Sequence, residues 1–185
     1  MDAGVPSETA PGDPLEAIRE AALGLLSSRE HSRRELLRKL RRKGHSQDHI
    51  ETIVGRLEAA GLVSDERYAR LFVTDRLAIH PLGRRRIVME LRRRGIEAEA
   101  ASRAVDEVYR EGEVDEGVVA ERLARRRAVR LEGVDPAAVR RRLAGYLARR
   151  GFAPEIVTEA IRRVSGRPPD VPEEPGEGPS LSRCE

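Results

Sequence analysis

The 185-residue chain contains no tryptophan, two phenylalanines (Phe72, Phe152), three tyrosines (Tyr68, Tyr109, Tyr146) and one cysteine, Cys184. So few aromatic strand formers leave too little material for a β-sandwich or barrel. A lone cysteine builds neither an internal disulfide framework nor a multi-cysteine zinc site. Histidine offers little in its place. His45 and His49 have the spacing of a helical metal pair, but Gly44 before them and Ser46 between them read as a helix stop and a new cap, so a polar turn is expected and neither metal nor cofactor. Long apolar runs and a basic, then apolar, leader are also missing, which points to a cytoplasmic protein without a membrane span. No phosphate-cradling glycine loop, paired carboxylate in an apolar setting or nucleophile motif is present, so no enzyme is expected.

What the chain does have is charge, with 36% charged against 39% apolar residues. The two signs are segregated. Residues 1–30 carry two arginines against six acids, residues 165–185 two against five, and residues 31–164 keep 31 basic residues against 21 acidic ones. Lys39 and Lys43 are the only lysines. GC-rich codon usage would favour arginine over lysine too, so the choice of arginine alone marks no phosphate contact, but a basic middle asks for an acidic or polyanionic partner.

The glycine-, proline- and acid-rich ends, residues 1–13 and 165–185, lack apolar periodicity and are expected to be disordered. Between them one pattern recurs three times, anchored on Gly44, Gly95 and Gly151 at intervals of 51 and 56 residues. Eight residues before each glycine stand Leu36, Ile87 and Leu143, and four before stand Leu40, Leu91 and Leu147. After it, Ile50, Ala101 and Val157 begin a second apolar face that continues through Ile53, Ala104 and Ala160, then Val54, Val105 and Ile161, to Leu57, Val108 and Val164. Each glycine is expected in a left-handed helix stop, with Ile96 and Phe152 packing back on the preceding turn. A further amphipathic stretch precedes each pair: Leu15 to Leu26 after an Asp13-Pro14 start, Glu66 to Ile79, and Gly117 to Leu131. Ser32 with Glu35 reads as a capping box, and Asp135-Pro136 as a helix start. The fold class is therefore all-α: an elongated, curved array of three tandem three-helix repeats at 14–63, 64–112 and 113–164. Units this small are expected to draw part of their stability from stacking on their neighbours.

With the apolar stripe buried, about 100° per residue places Arg34, Arg85 and Arg141, ten before each glycine, and Arg42, Arg93 and Arg149, two before it, on the outward side. Arg33, Arg84 and Arg140 lie nearer the flank, where the stem can pack while the guanidinium reaches water. The competing reading is a solvated helix face neutralised by acids, but these helices contribute only Glu35 and Glu90 nearby. Such an arginine ladder suits a polyanionic filament or an acidic protein groove. Too few aromatics are available for a base-stacking platform.

The run Leu62-Val63-Ser64-Asp65-Glu66-Arg67-Tyr68-Ala69, followed by Phe72-Val73, Arg76, Gly83, Ile87, Glu90-Leu91 and Arg94-Gly95-Ile96, resembles the signature of the RecX family of recombinase regulators. The likeness is specific in the middle repeat and pattern-level in the third. It implies a curved array of three-helix repeats that acts as a non-enzymatic, monomeric, negative modulator of RecA. Such proteins bind RecA and the groove of the RecA–single-stranded DNA filament, limit strand exchange and coupled ATP hydrolysis, and so act on DNA repair, recombination and the SOS response, with weak nucleic-acid contact. Binding is assigned to the nine repeated arginines. Tyr68, Ala69, Phe72 and Val73 are expected as a buried stripe, with Arg67 and Arg76 exposed. Two alternatives are a helix-turn-helix-like DNA-binding regulator and a helical scaffold for another acidic partner. The acids Asp48, Glu51, Glu97 and Glu99 on the post-glycine helices disfavour the first, since duplex phosphates would repel them.

Overall fold

The computed structural model describes residues 13–166. Nearly all of the two acidic ends expected to be disordered thus lies outside the described residues. Nine α-helices and no strand are found among those described: α1 (Pro14–Leu26), α2 (Arg33–Arg42), α3 (Gln47–Ala59), α4 (Asp65–Ile79), α5 (Arg84–Arg93), α6 (Ala98–Glu111), α7 (Glu116–Val129), α8 (Pro136–Arg149) and α9 (Pro154–Ser165). None is long and apolar enough to cross a membrane.

Local chemistry explains the helix starts. Asp13, Ser32, Ser46, Ser64, Asp115 and Asp135 each accept a first-turn backbone N–H with a side-chain oxygen, and α1, α8 and α9 begin on a proline, whose missing donor costs nothing there. The capping box at Ser32 is only half made. Ser32 Oγ accepts from the Glu35 amide at 3.2 Å, but the Glu35 carboxylate turns to Arg29 instead of returning to the cap. The helix ends are set by Gly44, Gly95 and Gly151, all at positive φ (86°, 93° and 83°). Ile96 and Phe152 follow the last two, are buried, and donate their amides back to Leu91 O and Leu147 O.

The close helix pairs all lie inside a unit: α1 to α3, α4 to α6, and α7 to α9. Each unit closes its own apolar core around fully buried Leu36 and Leu40, Ile87 and Leu91, or Leu143 and Leu147, and each such side chain contributes roughly 2 kcal/mol by burial. Apolar stacking between neighbours, expected for units this small, is therefore minor; Val114 alone packs against both the second and third cores.

Two quasi-equivalent polar seams join the row. In the first, Ser32 Oγ donates to Arg94 O at 2.7 Å and the Arg33 amide donates to Asp65 Oδ1 at 2.7 Å. In the second, the Gly83 amide donates to Arg150 O at 2.9 Å and the Arg84 amide donates to Glu116 Oε1 at 2.9 Å. At both seams the start of one unit's middle helix abuts the glycine turn of the next unit, and the first residue of that unit's leading helix supplies a carboxylate to the exposed helix N-terminus.

Candidate functional site

Docking a helix start on a glycine turn leaves a cleft above each seam, and the clefts gather arginines from both sides. The first, of about 870 Å³, is lined by Arg34 and Arg38 of α2 and by Arg93 and Arg94 at the end of α5, with Tyr68, Leu71, Phe72, Asp75 and Ile79 of α4. The second, of about 1070 Å³, is lined by Arg85, Arg86 and Met89 of α5 and by Arg149 of α8. The arginine ten before one glycine thus meets the arginine two before the next: Arg34 with Arg93, and Arg85 with Arg149. Arg42 and Arg141 occupy the same two positions at the outer units, where no neighbour faces them.

All six of these side chains are exposed, and none forms an ion pair among the described residues, whereas nearby arginines do. Two unpaired guanidiniums at each cleft, Arg34 and Arg93 at the first and Arg85 and Arg149 at the second, leave both locally electropositive, although Glu30, Glu35 and Asp75 also line the first. Arg140 is likewise exposed and without an ion pair among the described residues. Arg33 and Arg84 differ. Arg33 reaches Glu58 at 3.1 Å, while Arg84 lies over the Tyr109 ring at 4.2 Å and pairs with Asp106 and Glu116. Both side chains remain partly exposed, at 41% and 37%, with their guanidiniums engaged by carboxylates at the surface. The neutralising acids come from α3, α6 and α7, not from the arginines' own helices.

The floor of the first cleft is aromatic. Arg94 and Arg76 approach the Phe72 ring from 4.3 and 4.9 Å, Tyr68 stacks beside it at 6.3 Å, and Arg76 is tied to Glu90 at 3.1 Å. Phe72 is accordingly half-buried, unlike Tyr68, Ala69 and Val73, which are buried. In the third unit Tyr146 takes the place of Glu90, and Arg150 and Arg127 flank its ring at 4.6 and 5.6 Å. Arg67 is exposed but positions the first seam. It pairs with Glu30 at 2.6 Å and donates to the carbonyls of Gly61 and Leu62, tying the loop before α2 to the turn before α4. His31 in that loop is buried; its Nδ1 lies 2.9 Å from Arg29 O and its Nε2 2.7 Å from Lys39 Nζ, and burial holds its pKa below the usual histidine value. Burial likewise raises the carboxyl of Asp65, against the lowering effect of the Arg33 amide. No group of three or more His, Cys, Asp or Glu side chains is placed to hold a metal among the described residues.

Models of the first, second and third three-helix domains of RecX match residues 19–57, 64–105 and 115–161 in that order. The chain belongs to the RecX family. It is 37% identical over 157 residues to the regulatory protein RecX of Amycolatopsis mediterranei, covering 85% of this chain and 88% of that one. With the RecX of Halorhodospira halophila it shares 41% over 154 residues, covering 80% and 89%. The fold is also that of the RecX crystal structure from Lactobacillus salivarius, with a TM-score of 0.74 at 24% identity over 85% of this chain and all of that one. The Amycolatopsis and Halorhodospira relatives are named as regulatory proteins, and the three domain matches fall on the three units that the seams join.

Proposed function

We propose that this chain is a non-enzymatic negative modulator of RecA: a cytoplasmic monomer that binds RecA and its single-stranded DNA filament and limits strand exchange and coupled ATP hydrolysis, with consequences for DNA repair and recombination. Membership of the RecX family motivates the reading. The observation that carries it is the pairing of unneutralised arginines across successive seams, Arg34 with Arg93 and Arg85 with Arg149. Basic clefts that recur from one seam to the next suit a partner that itself repeats, as a filament does, and electrostatic complementarity would supply steering and register. Arg140, Arg141 and the second cleft give the weaker nucleic-acid contact.

The test is single-stranded-DNA-dependent ATP hydrolysis by the cognate RecA, titrated with the full chain and with the Arg85→Glu/Arg93→Glu variant at low and high salt. The unmodified chain is expected to inhibit, and the variant to need about tenfold more protein with unchanged helicity. Inhibition at substoichiometric ratios indicates capping or disassembly, whereas inhibition near one chain per several RecA subunits indicates groove coating. No effect on RecA, combined with tight salt-sensitive binding to duplex DNA, would overturn the reading in favour of a DNA-binding regulator.

A further inference from the structure

The two clefts have diverged. The second has no carboxylate in its lining, whereas the first contains Glu30, Glu35 and Asp75 and also presents two large apolar side chains to solvent. These are Leu71 and Ile79, which are 48% and 67% exposed. Both project from α4 at helical spacing with Asp75 midway, so all three share one face. Glu30 and Glu35 are already paired, with Arg67 and Arg29. Opposite that face stand Arg34, Arg38 and Arg93, none in an ion pair among the described residues.

Mixed chemistry of this kind discriminates between partners. A phosphate backbone gains nothing from an exposed leucine and isoleucine, and Asp75 repels it. A protein segment carrying apolar side chains flanked by carboxylates satisfies both halves: the apolar groups leave water against Leu71, Ile79 and the Phe72 floor, and the carboxylates meet the three free guanidiniums.

We infer that the first cleft is a docking groove for an acidic, amphipathic segment of the partner protein, whose apolar side chains cover Leu71 and Ile79 and whose carboxylates pair with Arg34, Arg38 and Arg93. The inference rests on the RecA reading above and assigns protein recognition to the first seam.

The experiment uses the full chain, the cognate RecA without nucleic acid, and labelled single-stranded DNA without RecA, each at low and high salt. Three variants are compared with the unmodified chain: Leu71→Ser/Ile79→Ser, Arg34→Glu/Arg93→Glu, and Val118→Ser/Val129→Ser, which removes two comparably exposed apolar side chains of α7 outside the clefts. Ile79→Ser alone, at the end of α4, serves if the double variant loses helicity. The Leu71/Ile79 variant is expected to bind RecA about tenfold more weakly at both salt concentrations while keeping its affinity for DNA. The Arg34/Arg93 variant is expected to lose RecA binding chiefly at low salt, and the Val118/Val129 variant to bind as the unmodified chain does. RecA binding by the Leu71/Ile79 variant as tight as that of the unmodified chain would overturn the inference, as would equal loss from the Val118/Val129 control. Failure of the unmodified chain itself to bind RecA would remove the underlying reading, and the inference with it.

Discussion

The backbone amide of Gly83 donates to the carbonyl of Arg150 at 2.9 Å, which presses the start of α5 against the glycine turn of the third unit. No side chain fits between them. A Cβ on Gly83 would overlap the Gly151 carbonyl, and one on Gly151 would overlap Arg86, whereas one on Gly44 would point into open space. Gly44→Ala therefore meets only the positive-φ penalty and is expected to lower stability by about 1 kcal/mol. Gly151→Ala meets the same penalty plus the collision. It should cost more than Gly44→Ala in urea unfolding and should enlarge the radius of gyration in solution scattering as the seam opens. Equal costs and unchanged scattering would show that close approach plays no part.

Asp65 and Glu116 do the same work at the two seams, each accepting the first amide of the preceding unit's middle helix. Removing a charged acceptor from a helix N-terminus costs about 1–2 kcal/mol. Asp65→Ala and Glu116→Ala are each expected to lose that amount. Asp65→Asn should be tolerated, because the amide oxygen still accepts while the charge whose desolvation raises the Asp65 carboxyl is gone. Chemical denaturation of the three variants at neutral pH decides it, and an Asn variant as damaged as Ala would mean that charge, not acceptance, is what the seam needs.

The units were legible in the sequence because their determinants are local. Apolar spacing on either side of Gly44, Gly95 and Gly151 is enough to define two helix faces and a stop, and the leucines and isoleucines four and eight residues before each glycine are fully buried. The seams were not legible. The ion pairs of Arg33 and Arg84 could not be read from their own helices, which offer only Glu35 and Glu90, because the acids that engage them, Glu58, Asp106 and Glu116, arrive from other helices. Nor does periodicity bring Arg34 to Arg93 or Arg85 to Arg149. That pairing depends on how Ser32 and Gly83 dock on the next turn, a contact between residues about sixty apart with no repeating signature. Arg67 went unnoticed as a clip for the same reason, since Glu30 lies in the neighbouring unit.

His31 gives the fold a pH-sensitive joint. Arg29 O can only accept and Lys39 Nζ can only donate, so His31 is neutral with its proton on Nδ1. Protonating Nε2 would break the Lys39 contact and set two cations together in a buried site. Burial lowers the folded-state pKa below the unfolded value of about 6.5. The stability this histidine contributes is therefore fully present above about pH 6.5, falls as pH drops below it, and levels off beneath the folded-state pKa. Urea midpoints measured from pH 8 to pH 5 should decline over the lower part of that range in the unmodified chain and stay flat in His31→Gln. A parallel decline in both would assign the effect to other groups.

The second cleft sets the salt dependence of nucleic-acid binding. Arg85 and Arg149 line it without an ion pair among the described residues, while Arg86 is held by Glu90 at 3.2 Å, so phosphates that meet the first two displace only water and counterions. Each phosphate neutralised on a single strand contributes about 0.7 to the slope of log affinity against log salt. Arg85→Gln/Arg149→Gln is thus expected to flatten that slope by about 1.4. In the first cleft Asp75 offsets part of the charge of Arg34 and Arg93, and Arg34→Gln/Arg93→Gln should flatten it by less. Fluorescence anisotropy on labelled single-stranded DNA across a salt series measures both slopes. A larger change from the first pair than from the second would place the phosphate contact at the wrong seam and remove the division of labour between the clefts.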